Sequence, residues 1–201
     1  YTSPVVIANT NYDETASPLV VRISNVGTQS FYVRVVNPAD EAQSISGRDV
    51  YDWVVEEGVY NQADHGITME ARRYTSTVTD YTGSWLGQSQ SYTNSYTNPV
   101  VLGQVMTEND ADFSVFWCRG VDRQSPPTGS TFFTGKHVGE DGDTIRVDET
   151  VGYVVVEAGT YGTTNPHDLQ IAAGIGPATV SGVVDAPPYP YTVSGISGVA
   201  G

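Results

Sequence analysis

The sequence predicts an all-β chain of tandem antiparallel β-sandwich domains with essentially no helix, and three observations carry that expectation. The opening Tyr1-Thr2-Ser3-Pro4-Val5-Val6 returns as Tyr96-Thr97-Asn98-Pro99-Val100-Val101, a shift of 95 residues. At that same shift Ala16 meets Ala111, Val20 meets Val115 and Val26 meets Val121. A repeat of this kind defines the fold unit before any single element is read. Second, β-branched and aromatic runs alternate with polar turns about every 8–12 residues, the grammar of a sandwich. Third, the one segment with helical spacing has a second copy that is plainly β-prone.

In order along the chain, Val5-Val6-Ile7 reads as a short strand, followed by a polar turn from Asn9 to Ser17. Leu19 to Ile23 and Phe31 to Val36 form a hairpin turned at Asn25-Val26-Gly27. Asn37 to Arg48 reads as a long polar loop pinned by Pro38. Asp49 to Gly58 places Val50, Trp53 and Val54 on one helical face. Its counterpart, Thr150 to Gly159, carries Tyr153-Val154-Val155-Val156, so both segments are expected as strands, with Trp53 in the core. The shift here is 101 residues (Gly58 to Gly159), which puts six extra residues between Val121 and Thr150, in the Pro126-Pro127 loop. His65 to Ala71 matches His167 to Ala173 at a shift of 102, and alternation of Ile67 with Met69 and of Leu169 with Ile171 marks a half-buried strand. The two histidines then hold a shared structural place just before that strand. Pro187-Pro188-Tyr189-Pro190 reads as a stiff extended segment.

The expected division is one repeat over 1–95 and a second over 96–201, with the repeat frame offset from the domain frame. The stretch 162–201 looks like an opening strand with no body after it. It is expected to complete the first copy, within the same chain or in a neighbouring one, because an uncovered strand edge invites association. A head-to-tail contact between neighbours does not close and grows a filament.

Composition narrows the function. Nine Lys+Arg against 23 Asp+Glu give a formal charge of −14, which argues against nucleic acid, whose phosphates need clustered cations. No apolar run approaches the ~18 residues that span a bilayer, so no membrane insertion is expected. Cys118 is the single cysteine and reads as a small buried apolar side chain. His137 follows Lys136 in what reads as a loop, without a catalytic partner in sequence. No Gly-X-Ser-X-Gly, His-Glu-X-X-His or phosphate-cradling loop occurs, so an enzyme is not expected. Glu140-Asp141-Gly142-Asp143 is similar to a fragment of a Ca²⁺ loop but lacks the full spacing, and it reads first as a solvated acidic turn. Asp141 and Asp143 are the metal candidates it offers.

Several stretches together resemble the H-type lectin domain. They are Gly66-Ile67, Trp85, Tyr96, Pro99-Val100-Val101, the hairpin Phe113 to Phe132, and Val154-Val155-Val156-Glu157. In the first copy Pro4-Val5-Val6, Arg22 nine residues before Phe31, and Val54-Val55-Glu56 carry the same pattern. The resemblance implies a six-stranded antiparallel sandwich that binds galactose-type sugars between neighbouring subunits. It implies contacts from an early-loop aspartate, an arginine before the hairpin turn, and an aromatic–histidine pair after it. Arg22 stands at the arginine's place. Trp117 occupies that place in the second copy, with Arg119 two residues on. Gln88 to Asn94 holds no aspartate, and Pro38-Ala39 stands where the aromatic–histidine pair would be.

The glycan-binding candidates are therefore Arg22, Trp85, Trp117 and Arg119, with Trp117 open to either a core or a surface role. The resulting expectation is an extracellular, secreted or cell-surface adhesion module that binds glycans or polysaccharide. Two alternatives stand beside it: a filament subunit that self-associates by strand exchange, and an accessory module of a polysaccharide-degrading enzyme.

Overall fold

The computed structural model describes residues 1–11, 18–38, 40–162, 170–177, 192 and 195. The strands are β1 (Pro4–Thr10), β2 (Val20–Ser24), β3 (Tyr32–Asn37), β4 (Asp40–Ser44), β5 (Val50–Glu56), β6 (Gly58–Tyr60), β7 (Met69–Ser76) and β8 (Thr79–Asp80). They continue as β9 (Gln88–Ser89), β10 (Pro99–Val105), β11 (Val115–Arg119), β12 (Phe133–His137), β13 (Glu149–Glu157), β14 (Gly159–Tyr161) and β15 (Ile171–Ala173). One helical turn, α1 (Gln62–His65), is capped by the Asn61 side chain, which accepts from the Asp64 N–H at 2.9 Å, and closed by Gly66 at φ 71°. The protein is all-β, built from several antiparallel sheets.

The repeat is visible in the hydrogen-bond register. β1 pairs β5 with Pro4 opposite Glu56 and Val6 opposite Val54; β10 pairs β13 with Pro99 opposite Glu157 and Val101 opposite Val155. The hairpins correspond too, Val20 with Val36 in β2–β3 and Val115 with His137 in β11–β12. Equivalent positions therefore differ by 95 residues before the hairpin turn and by 101 after it. The six extra residues lie between Arg119 and Phe133, in the loop that carries Pro126-Pro127.

Side-chain bonds repeat as well. Glu56 accepts from the N–H groups of Thr2 and Ser3 at 2.8 and 2.7 Å, and Glu157 from those of Thr97 and Asn98 at 2.8 and 2.9 Å. The Tyr60 hydroxyl donates to the Glu56 carbonyl, and that of Tyr161 to the Glu157 carbonyl, at 2.7 and 2.5 Å. A carboxylate that holds two backbone donors locks the chain entry against the end of the partner strand, and ionised acceptors make the stronger hydrogen bonds.

The segment with helical spacing and its β-prone counterpart are both strands, β5 and β13. The stretch from Asn37 to Arg48 is not a loop throughout: β4 lies within it, pairing Ser44 with Val36, while Ile45 N–H donates to the Val35 carbonyl at 2.7 Å. Backbone pairing to the edge of β3 builds this strand, and such pairing leaves no apolar alternation in the sequence to read. His137 and Lys136 are not in a loop either; they end β12, buried. Among the described residues one pairing is parallel, Lys136–His137 of β12 beside Thr79–Asp80 of β8.

The sheet of the second copy runs β10-β13-β7-β6, so its last two strands come from the 1–95 segment. The largest core cluster joins both copies: Val5, Val6 and Ala8 of β1, Ile23 and Val55 pack with Met69, Ala71, Met106, Val154 and Val156. Trp53 packs against it as expected. β1 and β13 are buried on both faces, which explains why their apolar runs do not alternate. Full burial of one valine stabilises by roughly 1.5–3 kcal/mol, so the seam is strongly held. A second cluster, Tyr96, Phe132, Tyr153 and Val155, belongs to the second copy. Size compensation appears at the seam's edge. A Cβ on Gly103 would meet the Phe116 ring at 2.5 Å, whereas the first copy has Ala8 and Val21 in those two places.

Candidate functional site

Three of the four glycan candidates come together where the 81–87 loop meets β11 and β12. Trp117 on β11 faces Gly135 of β12 and donates through Nε1 to Asp80 Oδ2 at 3.0 Å. Asp80 is fully buried and also accepts from Leu86 N–H at 2.7 Å and Gly87 N–H at 3.1 Å. Position 135 must be glycine, because a Cβ there would lie 2.8 Å from the indole nitrogen and 2.9 Å from the carboxylate. Trp85 meets Trp117 edge-on at 5.5 Å and stacks on His137 at 4.2 Å.

Arg119 donates Nε to the Trp85 carbonyl at 3.0 Å and Nη2 to the Leu86 carbonyl at 2.7 Å, and lies 3.9 Å over Phe133. Its guanidinium staples the loop to the hairpin. Burial holds the His137 imidazole below its ordinary value, against the pull of Asp80 and the Tyr81 backbone, which favour its charged form. Leu86 and Val121 stand exposed around the cluster, and the Arg123 guanidinium sits 5.8 Å from the Trp85 ring. The cluster thus combines stacked aromatic rings with two guanidinium groups, Arg119 over Phe133 and Arg123 near Trp85.

Arg22 is elsewhere. It is buried at the seam, donating to the carbonyls of Ala111 and Asp110 and pairing with Glu108 at 3.1 Å. Arg34, its cross-strand neighbour in β3, pairs with the same Glu108 oxygen at 2.7 Å. One carboxylate thus relieves two like charges placed opposite each other. In the second copy the equivalent pair is Trp117 and Gly135. Arg22 is buried and ties β2 of the first copy to residues 108–111 of the second.

Asp141 and Asp143 are not a free acidic turn. Arg146 pairs with Asp141 at 2.6 Å and lies 3.9 Å from Asp143, and the two carboxylates accept from the N–H groups of Asp143 and Ile145. The Asp143 N–H, with Arg146 beside it, holds the Asp141 carboxyl below its ordinary value. Among the described residues no three His, Cys, Asp or Glu side chains are placed to hold a metal. Cys118 is half-buried beside the second core cluster, and burial pushes its thiol up to about 11. His65 ends α1, exposed, with its ring edge-on to Tyr60 at 5.3 Å; His167 lies outside the described residues, as does Pro187-Pro188-Tyr189-Pro190. Among the described residues no helix is long and apolar enough to cross a membrane.

The second place of interest is an edge. β13 has β10 on one side and β7 on the other, with Val154 opposite Ala71, Val155 opposite Glu70 and Val156 opposite Met69. β5, its equivalent, pairs only with β1 among the described residues. β6 continues from β5 after one residue and pairs β7, Gly58 opposite Ala71 and Tyr60 opposite Met69. β14 follows β13 in the same way and pairs β15, Gly159 opposite Ala173 and Tyr161 opposite Ile171. A cleft of about 850 Å³ lies beside the β5 edge, lined among others by Trp53, Val55, Tyr60, Met69, Tyr161 and Ile171.

Asp80, Gly135 and His137 were not singled out as site members from sequence. Asp80 sits among Thr, Tyr and Gly with no neighbouring motif, and only pairing of β8 to β12 brings it under Trp117. Compared with protein-family models, curated proteins and solved structures, the chain matches none of them.

Proposed function

We propose that this chain is a structural subunit of an extracellular filament or surface array, built from lectin-like β-sandwich repeats that join head to tail by strand addition. The supporting observation is that the same hairpin follows the last strand of each copy. At β6–β7 it is complete, because β7 also pairs β13 of the next copy. At β14–β15 the hairpin is present, and β15 has β14 as its one strand partner among the described residues. Unpaired strand edges beside apolar side chains are templates for association. Size-exclusion chromatography with light scattering, followed by negative-stain microscopy, tests the reading. Concentration-dependent linear species are expected, and they should vanish on deletion of 164–201. A compact monomer at every concentration, unchanged by that deletion, overturns it.

A second reading, glycan binding in the service of adhesion, is favoured by the convergence of Trp85, Trp117 and Arg119. Its site is the rim of Leu86, Val121 and Arg123 around Trp85, not Arg22. Retention on immobilised polysaccharides that is weakened by Leu86→Asp and Arg123→Ala supports it; no retention on any polysaccharide refutes it.

A further inference from the structure

We infer that the groove lined by Arg73, where the turn after β2 faces the stretch after β10, binds a small ligand that carries a carboxylate among hydroxyl groups. Such a ligand is a free sugar acid or a uronic acid unit of a polysaccharide. The site lies apart from the aromatic cluster and rests on neither reading above.

The cation reaches the groove along β7. Met69 and Ala71 enter the core shared by both copies, and Arg73 is the next residue on that face. It is half-buried and stands opposite Gly152 of β13, where a Cβ would meet Met106 Sδ at 2.6 Å. Beside Arg73 and Met106 lies a groove of about 400 Å³. One wall is the turn with Ser24 and Asn25, and the other runs from Met106 to Asn109. Sites for small molecules span roughly 300–1,000 Å³, so one sugar-sized ligand fits.

Charge and rigidity point to an anion. The Arg73 guanidinium has no hydrogen bond or ion pair to any described residue; Glu57 accepts from its backbone N–H at 3.2 Å instead. Glu108, the acid that lines the groove, gives one oxygen to both Arg22 and Arg34, at 3.1 and 2.7 Å. Its charge is answered twice, and that of Arg73 is not. Glu149 fixes the second wall, accepting from the Thr107 hydroxyl and from the N–H groups of Asn109 and Asp110 at 3.2 and 2.9 Å. Asn25 holds φ 50°, a backbone that glycine adopts without cost, so its amide adds a polar group at the rim. One planar guanidinium matches one carboxylate through two parallel bonds, and the amides and hydroxyl beside it suit ligand hydroxyls. The repeat does not impose a cation here. β15 meets β14 as β7 meets β6, with Ala173 in the place of Ala71, so Ile175 takes the place of Arg73.

Titration of the isotope-labelled full chain with glucuronate, followed by NMR at low salt, is the test. Saturable shifts at the groove are expected, with none for glucose. Arg73→Ile, which installs the residue of the other copy, should weaken binding about ten-fold or more. Arg73→Lys should recover part of that loss, and Asn25→Gly, which keeps the turn, should weaken binding less. A hyaluronan tetrasaccharide that binds more tightly than glucuronate supports the inference with a polysaccharide as the source; equal or weaker binding supports it with a free acid. Absence of shifts with both ligands overturns the inference, as does glucuronate binding that Arg73→Ile and Asn25→Gly leave intact. Inorganic phosphate that binds as tightly as glucuronate overturns the carboxylate assignment.

Discussion

Tyr1 and Tyr96 hold the same place in the two halves of this chain, yet Tyr1 is 64% exposed and Tyr96 only 7%. Both precede a strand of the same register, and both neighbour a glutamate that binds the strand's entry. Tyr96 packs on Tyr92 and sits in a cluster with Phe132 and Tyr153. At the position of Tyr153 the first copy has Asp52, which stays in water. The second copy has a β7 strand beside β13 and a covering passage from Thr77 to Asn98; among the described residues the first has neither beside β5. Local pairing is thus inherited from the repeat, while burial depends on which segments cover the pair.

The largest expected effect breaks that comparison at its sharpest point. Tyr96→Ala should cost about 3–5 kcal/mol in chemical denaturation, as large aromatic truncations in a core do. Tyr1→Ala should stay within about 0.5 kcal/mol. Equal losses would show that Tyr1 is covered in solution.

Next comes the seam. Arg22→Ala removes one partner of a buried pair and leaves carbonyls of Asp110 and Ala111 unmet, which should cost about 3 kcal/mol. Arg34→Ala, at the more open member of the same Glu108 pair, should cost about 1 kcal/mol or less. A glycan-binding role for Arg22 would instead show as lost retention on polysaccharide with stability intact.

Glu56→Gln and Glu157→Gln sharpen the likeness of the copies. Each weakens two bonds from backbone N–H groups, and each should cost about 1 kcal/mol, the two alike. Unequal costs would mean that the matching geometry hides different surroundings.

The acid response should separate the copies again. His137 is buried in the second, with a folded pKa below the unfolded ~6.5. Its contribution is fully present above the unfolded value and is lost as pH falls through the folded one. Stability should therefore decline on the acid side of neutrality, and His137→Gln should flatten that decline. Fluorescence of Trp85 stacked on it reports the same titration.

The smallest effect concerns assembly. With a net charge of −14 the copies repel each other. Raising ionic strength from ~0.01 M to ~0.15 M shortens the screening length from ~30 Å to ~8 Å and should raise the assembled fraction in light scattering.

Much of the strand order was legible in residues 1–37 and 96–161, because two copies of one pattern resolve what one leaves ambiguous. Asp49 to Gly58 was read as a strand only because Tyr153-Val154-Val155-Val156 stood at its counterpart. β4 was not legible, since it is held by backbone bonds to β3. At the aromatic cluster, Trp85, Trp117 and Arg119 were named from the lectin-like resemblance, and Asp80 and His137 were not named beside them. A buried carboxylate under an indole is a product of strand pairing far apart in sequence. The partner of Arg22 was hidden for the same reason: Glu108 lies 86 residues away in the chain and only the fold sets it beside the guanidinium.

Hydrophobic spacing, turn residues and the duplicated stretches thus sufficed for the all-β class and for most of the strands in the two copies, because these follow from local propensity and side-chain period. Which faces are dry, which charges meet, and which edge stands open depend on contacts between segments 60 to 100 residues apart, as in Lys136 donating to the Ser76 carbonyl or Val6 N–H to Met106 Sδ. No window of sequence holds both partners of such a bond, so only the packed chain reveals them.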